Sequence, residues 1–409
     1  HLIFKKLSSR YMSHFLNRFL TFCILSLFLY CVSNAQELPH IPGQVIVKLY
    51  AGHQWQDHTL TVASRPLNLQ ENKCLSRQMG IYLVQFDPRM DADLVKRQLA
   101  KSHKVELVQL NHLIEARNSQ VTYPNDPQLF NQWHLDNGGQ VGTVNSDINA
   151  PEAWDLQRDS RDTLGEVGVV AVIDDGFDLN HEDLLYWRNE AEIPNNAIDD
   201  DNNGYVDDYL GWNAYNSSGF PNILQHGTQV AGIIGARTDN QIGISGVCWN
   251  TPIMAVGGAS GNEAIVVEAY SYILDQRIAY DQTQGAEGAY VVATNASFGV
   301  NFGQATDYPI WCALYDSLGA HGIMNVAAVM NIGQDVDQVG DIPTTCSSDF
   351  LITVTSTDAN DELVGGSGFG VLNVDLAAPG AGIYTTFVSD NNGNIGGTSF
   401  AAPQVAGAI

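Results

Sequence analysis

Five short, largely apolar runs recur along the C-terminal two thirds of this chain: Val167–Ile173, Ile253–Val256, Ala289–Thr294, Ile323–Val329 and Leu351–Thr355. Helix-forming stretches such as Glu263–Ala279 lie between them. A strand that is apolar on both sides needs cover on both faces, and a parallel sheet with crossover helices supplies it. The expected fold class is α/β, a parallel sheet with helices on both faces, preceded by a small α+β unit. The 38 glycines suit tight turns and close helix packing. Disorder is disfavoured, because 44% of residues are hydrophobic and only 16% charged.

The chain opens differently. From Phe19 an apolar stretch of about 14 residues follows Lys5, Lys6, Arg10 and Arg18 and ends at Ser33-Asn34-Ala35. It is too short to span a bilayer, and its small residues suit cleavage after Ala35. Residues 1–35 are therefore expected to be a secretory signal, which places the mature chemistry outside the cytoplasm. Residues 36–118 form a second unit. Within it Gln44–Tyr50 alternates like a strand, Asp91–Lys101 reads as an acid-capped helix and Val105–Ala116 as a closing strand. Arg117–Gln128 carries two prolines and no periodicity, so it reads as a cleavable linker. The third unit is 119–409; the chain stops ten residues after Ser399, and this unit is expected to be C-terminally incomplete.

Charge and cysteines narrow the class. There are 45 acidic and 19 basic residues, a net charge of −26. Such a surface repels nucleic acid and anionic membranes, so neither is an expected partner. Of six cysteines, Cys248, Cys312 and Cys346 would remain in the mature unit. A Cys312–Cys346 disulfide and three buried thiols are both open readings.

Three motifs then occur in order. VVAVIDDG places Asp174 and Asp175 at the end of a buried strand. QHGTQVAGIIGA places His226 before small residues spaced for tight helix packing, and GGTSFAAPQVAG places Ser399 after a Gly-Gly-Thr turn and before another helix. Taken singly, such residues are turn, cap or packing residues. Together they are the three groups that acyl transfer needs, in one of its known chain orders.

These motifs resemble those of the subtilisin-like serine proteases (subtilases), nearest to the thermitase-like and fervidolysin-like secreted members. The resemblance runs from about Tyr123 to the end, and residues 36–118 also resemble the family's inhibitory propeptide. It implies a serine endopeptidase acting on proteins or peptides, inhibited by its own propeptide and expected to be a monomer. Ser399 would be the nucleophile, His226 the general base and acid, and Asp174 the residue that orients His226. VAAVMNIG (Val326–Gly333) matches the family's oxyanion segment and makes Asn331 the side-chain donor. Met330 stands where the family has Gly. Asp175 is read as turn chemistry. In TNASFG (Thr294–Gly299), Ser297, Phe298 and Gly299 would pair with the substrate backbone, opposite a strand near Gly258–Gly261. Ile332, where many relatives carry an acid, would give a preference for large apolar residues at the cleaved carbonyl. The competing reading is a non-catalytic pseudoprotease or binding module on this fold.

Calcium is the implied ion. By the resemblance, Asp126, Asp183 and Asn240 would be ligands. Independently, Asp199, Asp201, Asn203 and Gly204 fit the start of a D-x-D-x-N-G calcium loop, although Leu210 stands where its bidentate Glu would be. A solvated acidic turn is the alternative reading of that loop.

Overall fold

The computed structural model describes residues 40–55, 58–62, 65–113 and 122–409. The apolar stretch read as a signal lies outside the described residues, as do 117–121 of the linker; residues 122–128 form a loop without helix or strand. Two compact units divide the chain, residues 1–118 and 119–409.

The first unit is built on strands β1 (His40–Leu49), β2 (His58–Val62), β3 (Arg65–Ser76), β4 (Ile81–Gln85) and β5 (Val105–His112), with helix α1 (Ala92–Leu99) between β4 and β5. The sheet is antiparallel in the order β2-β3-β4-β1-β5. Val45, Val47 and Leu49 alternate inward from β1 and meet Val95 and Leu99 of α1. Asp91 caps that helix by accepting from the Leu94 amide at 3.0 Å. The sequence reading found β1, α1 and β5 but not β2 to β4. The polar run RPLNLQENKCLS in β3 has no clean alternation.

The second unit begins with helix α2 (Ala150–Trp154), then β6 (Val169–Asp174), β7 (Trp212–Asn213), α3 (Gln225–Gly235), β8 (Ile253–Gly257) and α4 (Glu263–Thr283). It continues through β9 (Val291–Ala296), β10 (Val300–Asn301), α5 (Pro309–Ala320), β11 (Met324–Ala328), α6 (Val336–Val339) and β12 (Asp341–Ile342). It closes with β13 (Leu351–Thr357), β14 (Leu376–Pro379), β15 (Ile383–Phe387), β16 (Asn391–Ile395) and α7 (Ala402–Ala408).

Seven of these strands form one sheet in the order β14-β13-β11-β9-β6-β8-β7, every pair parallel. The expected α/β architecture is present. Strand periodicity splits β6 between two cores. Val170 and Val172 face Val230, Ile233 and Ile234 of α3 and Ala402 and Ala406 of α7. Val169, Ala171 and Ile173 face Val266, Tyr270 and Ile273 of α4 and Trp311 and Tyr315 of α5. Each large buried side chain contributes roughly 1.5–3 kcal/mol, so both faces are anchored.

The order of connection reverses around β6, which has β8 on one side and β9 on the other. A crevice opens at such a point outside the C-terminal strand ends. Cys312 and Cys346 form a disulfide, while Cys74 and Cys248 are free thiols. Among the described residues no helix is long and apolar enough to cross a membrane.

Candidate active site

Asp174 is the last residue of β6, and its side chain is buried at the switch point. His226 is the second residue of α3, whose first turn lies against the end of β6. A Cβ at Gly227 would come within 2.4 Å of the Gly176 carbonyl oxygen and 2.9 Å of Asp174 Cβ. Only glycine lets the helix start this close to the strand. His226 Nδ1 consequently sits 2.8 Å from Asp174 Oδ1 and 3.0 Å from Oδ2. A carboxylate only accepts, so Nδ1 carries the proton and Nε2 keeps its lone pair. Burial alone would lower the proton affinity of His226. The Asp174 hydrogen bond and the charges of Asp174 and Asp175 outweigh it, and the imidazole is raised above its ordinary value.

Ser399 lies in a short turn, Thr398–Phe400, directly before α7. Its carbonyl accepts from Ser297 Oγ at 2.9 Å, and Asn295 Nδ2 donates to the same Oγ at 3.0 Å. The end of β9 thus pins the Ser399 backbone. Ser399 Oγ donates to the Ser297 carbonyl at 3.3 Å, and no hydrogen bond joins it to His226 among the described residues. The adjoining Phe400 ring lies 5.5 Å from the His226 ring, centroid to centroid.

Asn331 follows β11 and its side chain is held by the same turn. Its Oδ1 accepts from the Thr398 amide at 3.0 Å. The Thr398 hydroxyl oxygen lies 3.1 Å from that Oδ1 while donating to the Val329 carbonyl at 2.5 Å. The amide oxygen is therefore committed and Nδ2 is left as the outward donor. Gly397, at φ +138°, makes this possible, because a Cβ there would press on Asn331 Oδ1 at 3.2 Å. Met330 is buried with Val329 and Val336, and its amide donates to Asp341 Oδ2 at 2.9 Å.

Comparison with known proteins joins these observations. The profile of the Subtilase family matches residues 165–409, which contain Asp174, His226, Asn331 and Ser399. The chain belongs to the subtilase family. It is 31% identical over 292 residues to thermitase of Thermoactinomyces vulgaris, covering 69% of this chain and 83% of that one. It is 27% identical over 369 residues to an extracellular protease of Xanthomonas campestris pv. campestris, covering 85% of this chain but 58% of that protein. The chain thus spans little more than half the length of the Xanthomonas relative. A solved protease structure from Pseudoalteromonas arctica PAMC 21717 shares the fold, with a TM-score of 0.50 at 24% identity over 70% of this chain and 85% of the other.

The other residues singled out in this subtilase have specific positions. Phe298 is half-buried, with its ring 6.0 Å from that of Trp311 at the edge of the core. Gly299 lies against the Ile342 carbonyl, where a Cβ would approach to 2.1 Å. Asp126, Asp183 and Asn240 do come together. Asp126 accepts from the amides of Asp239 and Asn240 and from Ser245 Oγ. Asn240 Nδ2 donates to Asp183 Oδ1 at 2.9 Å, while its own Oδ1 accepts from Ile242. In this arrangement the cluster is closed by its own N–H and O–H donors.

In the acidic loop, Asp199 accepts from the amides of Asn203 and Gly204, and so shapes the turn. The converging carboxylates are Glu192, Asp201 and Asp208, with oxygens within 4.8 Å of one another. Asn189 and Asn203 bridge Asp201 to Asp208. Burial pushes the Asp208 carboxyl up to about 7, against the hydrogen bonds that favour its charge. These carboxylates too are met by N–H donors, the amides of Asp200, Asp201 and Asp207 on Glu192 and Gln276 on Asp208, but three crowded acids with no ion pair among the described residues make a hard, anionic oxygen set that suits calcium. Glu192 and Asp208 escaped the sequence reading because they lie outside the D-x-D-x-N-G spacing. Thr398 escaped it although its motif was in view, because its partner Asn331 is 67 residues away.

Proposed function

We propose that this subtilase is a secreted serine endopeptidase that works through an acyl-enzyme. His226 Nε2 takes the Ser399 hydroxyl proton as Oγ attacks the peptide carbonyl, and then passes that proton to the departing amine. Asp174 fixes the reactive tautomer and stabilises the imidazolium. Asn331 Nδ2 and the Ser399 amide are the donors assigned to the developing oxyanion. Water then hydrolyses the acyl-enzyme with His226 as base. The observation that carries this reading is the Asp174–His226 contact at the sheet's switch point, beside a turn that presents Ser399 and locks Asn331.

The reading extends to substrate, ion and processing. Ile332 packs beside Met330 and Val336, an apolar border that cannot compensate a buried cation. It favours large apolar or aromatic residues at the cleaved carbonyl. Glu192, Asp201 and Asp208 would hold a structural calcium ion, which would pin together the long loop between β6 and β7 without entering the chemistry. Residues 36–118 would act as an inhibitory propeptide, and the apolar stretch from Phe19 and the extracellular relatives support secretion.

A peptide-library cleavage profile tests the reading. Cleavage after Phe, Leu, Tyr or Met supports it, and a profile dominated by Lys or Arg overturns the specificity. Added residues 36–118 should inhibit turnover at micromolar concentration; full activity in their presence would remove the propeptide assignment.

A further inference from the structure

We infer that Asp175 is a positioning residue for His226: a second carboxylate that stabilises the imidazolium formed while Ser399 is being acylated. The inference rests on the protease reading above.

The geometry brings it close. Carboxylate oxygens of Asp174 and Asp175 and a ring nitrogen of His226 lie within 4.8 Å of one another. Asp175 Oδ1 is buried and has no hydrogen-bond partner. The Asp175 amide is already used, donating to Asp174 Oδ1 at 2.8 Å, which keeps the two acids on one turn. A half-buried acid with an unmet oxygen is unfavourable unless its charge has an opposite to act on. The group here that acquires one is His226.

His226 also needs more anion than one carboxylate supplies. It sits in the first turn of α3, where the positive end of the helix dipole opposes an imidazolium. No acidic residue lies in that first turn, and the N-cap Leu224 offers no capping side chain. Asp174 and Asp175 are the charged groups that face the ring: α3 itself has no other ionisable side chain, and Ser399 and Phe400 on the facing turn are uncharged. The proton that creates the imidazolium comes from Ser399 Oγ and leaves with the amine, so the charge is transient. Asp175 is poised to respond to it. Burial, then the charge and hydrogen bonding of Asp174, hold its carboxyl up at about 6, while His226 and the Gly227 amide act in the opposite direction.

The test compares wild type with Asp175→Asn and Asp175→Ser in the full chain. Two quantities are read: the pH profile of kcat/KM on a chromogenic peptide, and the titration of His226 by NMR. The Coulomb interaction of groups this close predicts that both variants move the acid limb and the His226 titration to lower pH by roughly half to one unit. Plateau kcat should fall several-fold with KM little changed. An unmoved limb together with an unmoved NMR titration overturns the proposal. So does a KM effect confined to peptides with a basic residue next to the cleaved one, which would make Asp175 a substrate contact. If wild type neither hydrolyses peptides nor reacts with a fluorophosphonate, the protease reading fails instead, and the NMR titration still reports on Asp175.

Discussion

The Thr398 amide holds Asn331 Oδ1 at 3.0 Å, and with that one bond fixes which end of the Asn331 amide is free to donate. Asn331→Ala should therefore lower kcat by ~10²–10³ with little change in KM, the usual cost of losing an oxyanion donor. Thr398→Val keeps the backbone bond but leaves the buried Val329 carbonyl without its donor, at about 1–3 kcal/mol of stability. Its kcat should fall far less than that of Asn331→Ala. Steady-state kinetics and thermal melts of both variants check the pair; equal kcat losses would contradict the division of roles.

His226 provides the pH prediction. Its imidazole is raised, and in the proposed role of general base it must be neutral. Activity is therefore present above the raised value and lost as pH falls through it, so the acid limb of kcat/KM should lie above the ordinary ~6.5. Asp174→Asn removes the first charge that holds it there. That variant should lose ~10⁴ in kcat, and its residual activity should carry an acid limb at lower pH. A limb at or below the ordinary value in wild type would contradict the electrostatics.

Calcium should act on stability. A site filled at a hundred times its dissociation constant adds about 2.7 kcal/mol, which for a unit of this size is a Tm increase of about 4–5 °C. Chelation should remove that increment from wild type. Glu192→Gln and Asp208→Asn should lack it from the start, while Asp199→Asn, which alters only the turn, should keep part of it. Scanning calorimetry with and without calcium decides; melts indifferent to calcium in every variant would count against the site.

Phe400 sets the response to oxidants. A methionine beside the nucleophile would gain a polar sulfoxide at the reacting centre, but here the neighbour is a buried phenylalanine packed near His226. Activity should survive a timed peroxide treatment that inactivates Phe400→Met. Equal rapid loss in both forms would implicate the buried Met330 instead.

Much of this was legible in the chain itself. The five apolar runs became β6, β8, β9, β11 and β13, because strands buried on both faces leave an uninterrupted hydrophobic signature. Asp174 and His226, 52 residues apart, were legible as motif residues, and the fold brings them to 2.8 Å. The two-residue strands β7, β10 and β12 left no pattern to read, since they are too short for any periodicity. Long-range polar pairing was equally silent. Nothing in the sequence announces that Ser297 Oγ would hold the Ser399 carbonyl 102 residues away, or that Gln276 on α4 would donate to Asp208. Asp175 read as a turn residue until the burial of its unpartnered oxygen was visible.

The most direct test of the account is covalent labelling of Ser399. The full chain is treated with a fluorophosphonate, and the adduct is mapped by mass spectrometry in wild type, Ser399→Ala and His226→Ala, each first shown to be folded by circular dichroism. The account predicts one adduct, on Ser399, in wild type, none in Ser399→Ala and strongly slowed labelling in His226→Ala. A folded wild type that takes up no label, or an adduct that persists in Ser399→Ala, would contradict it.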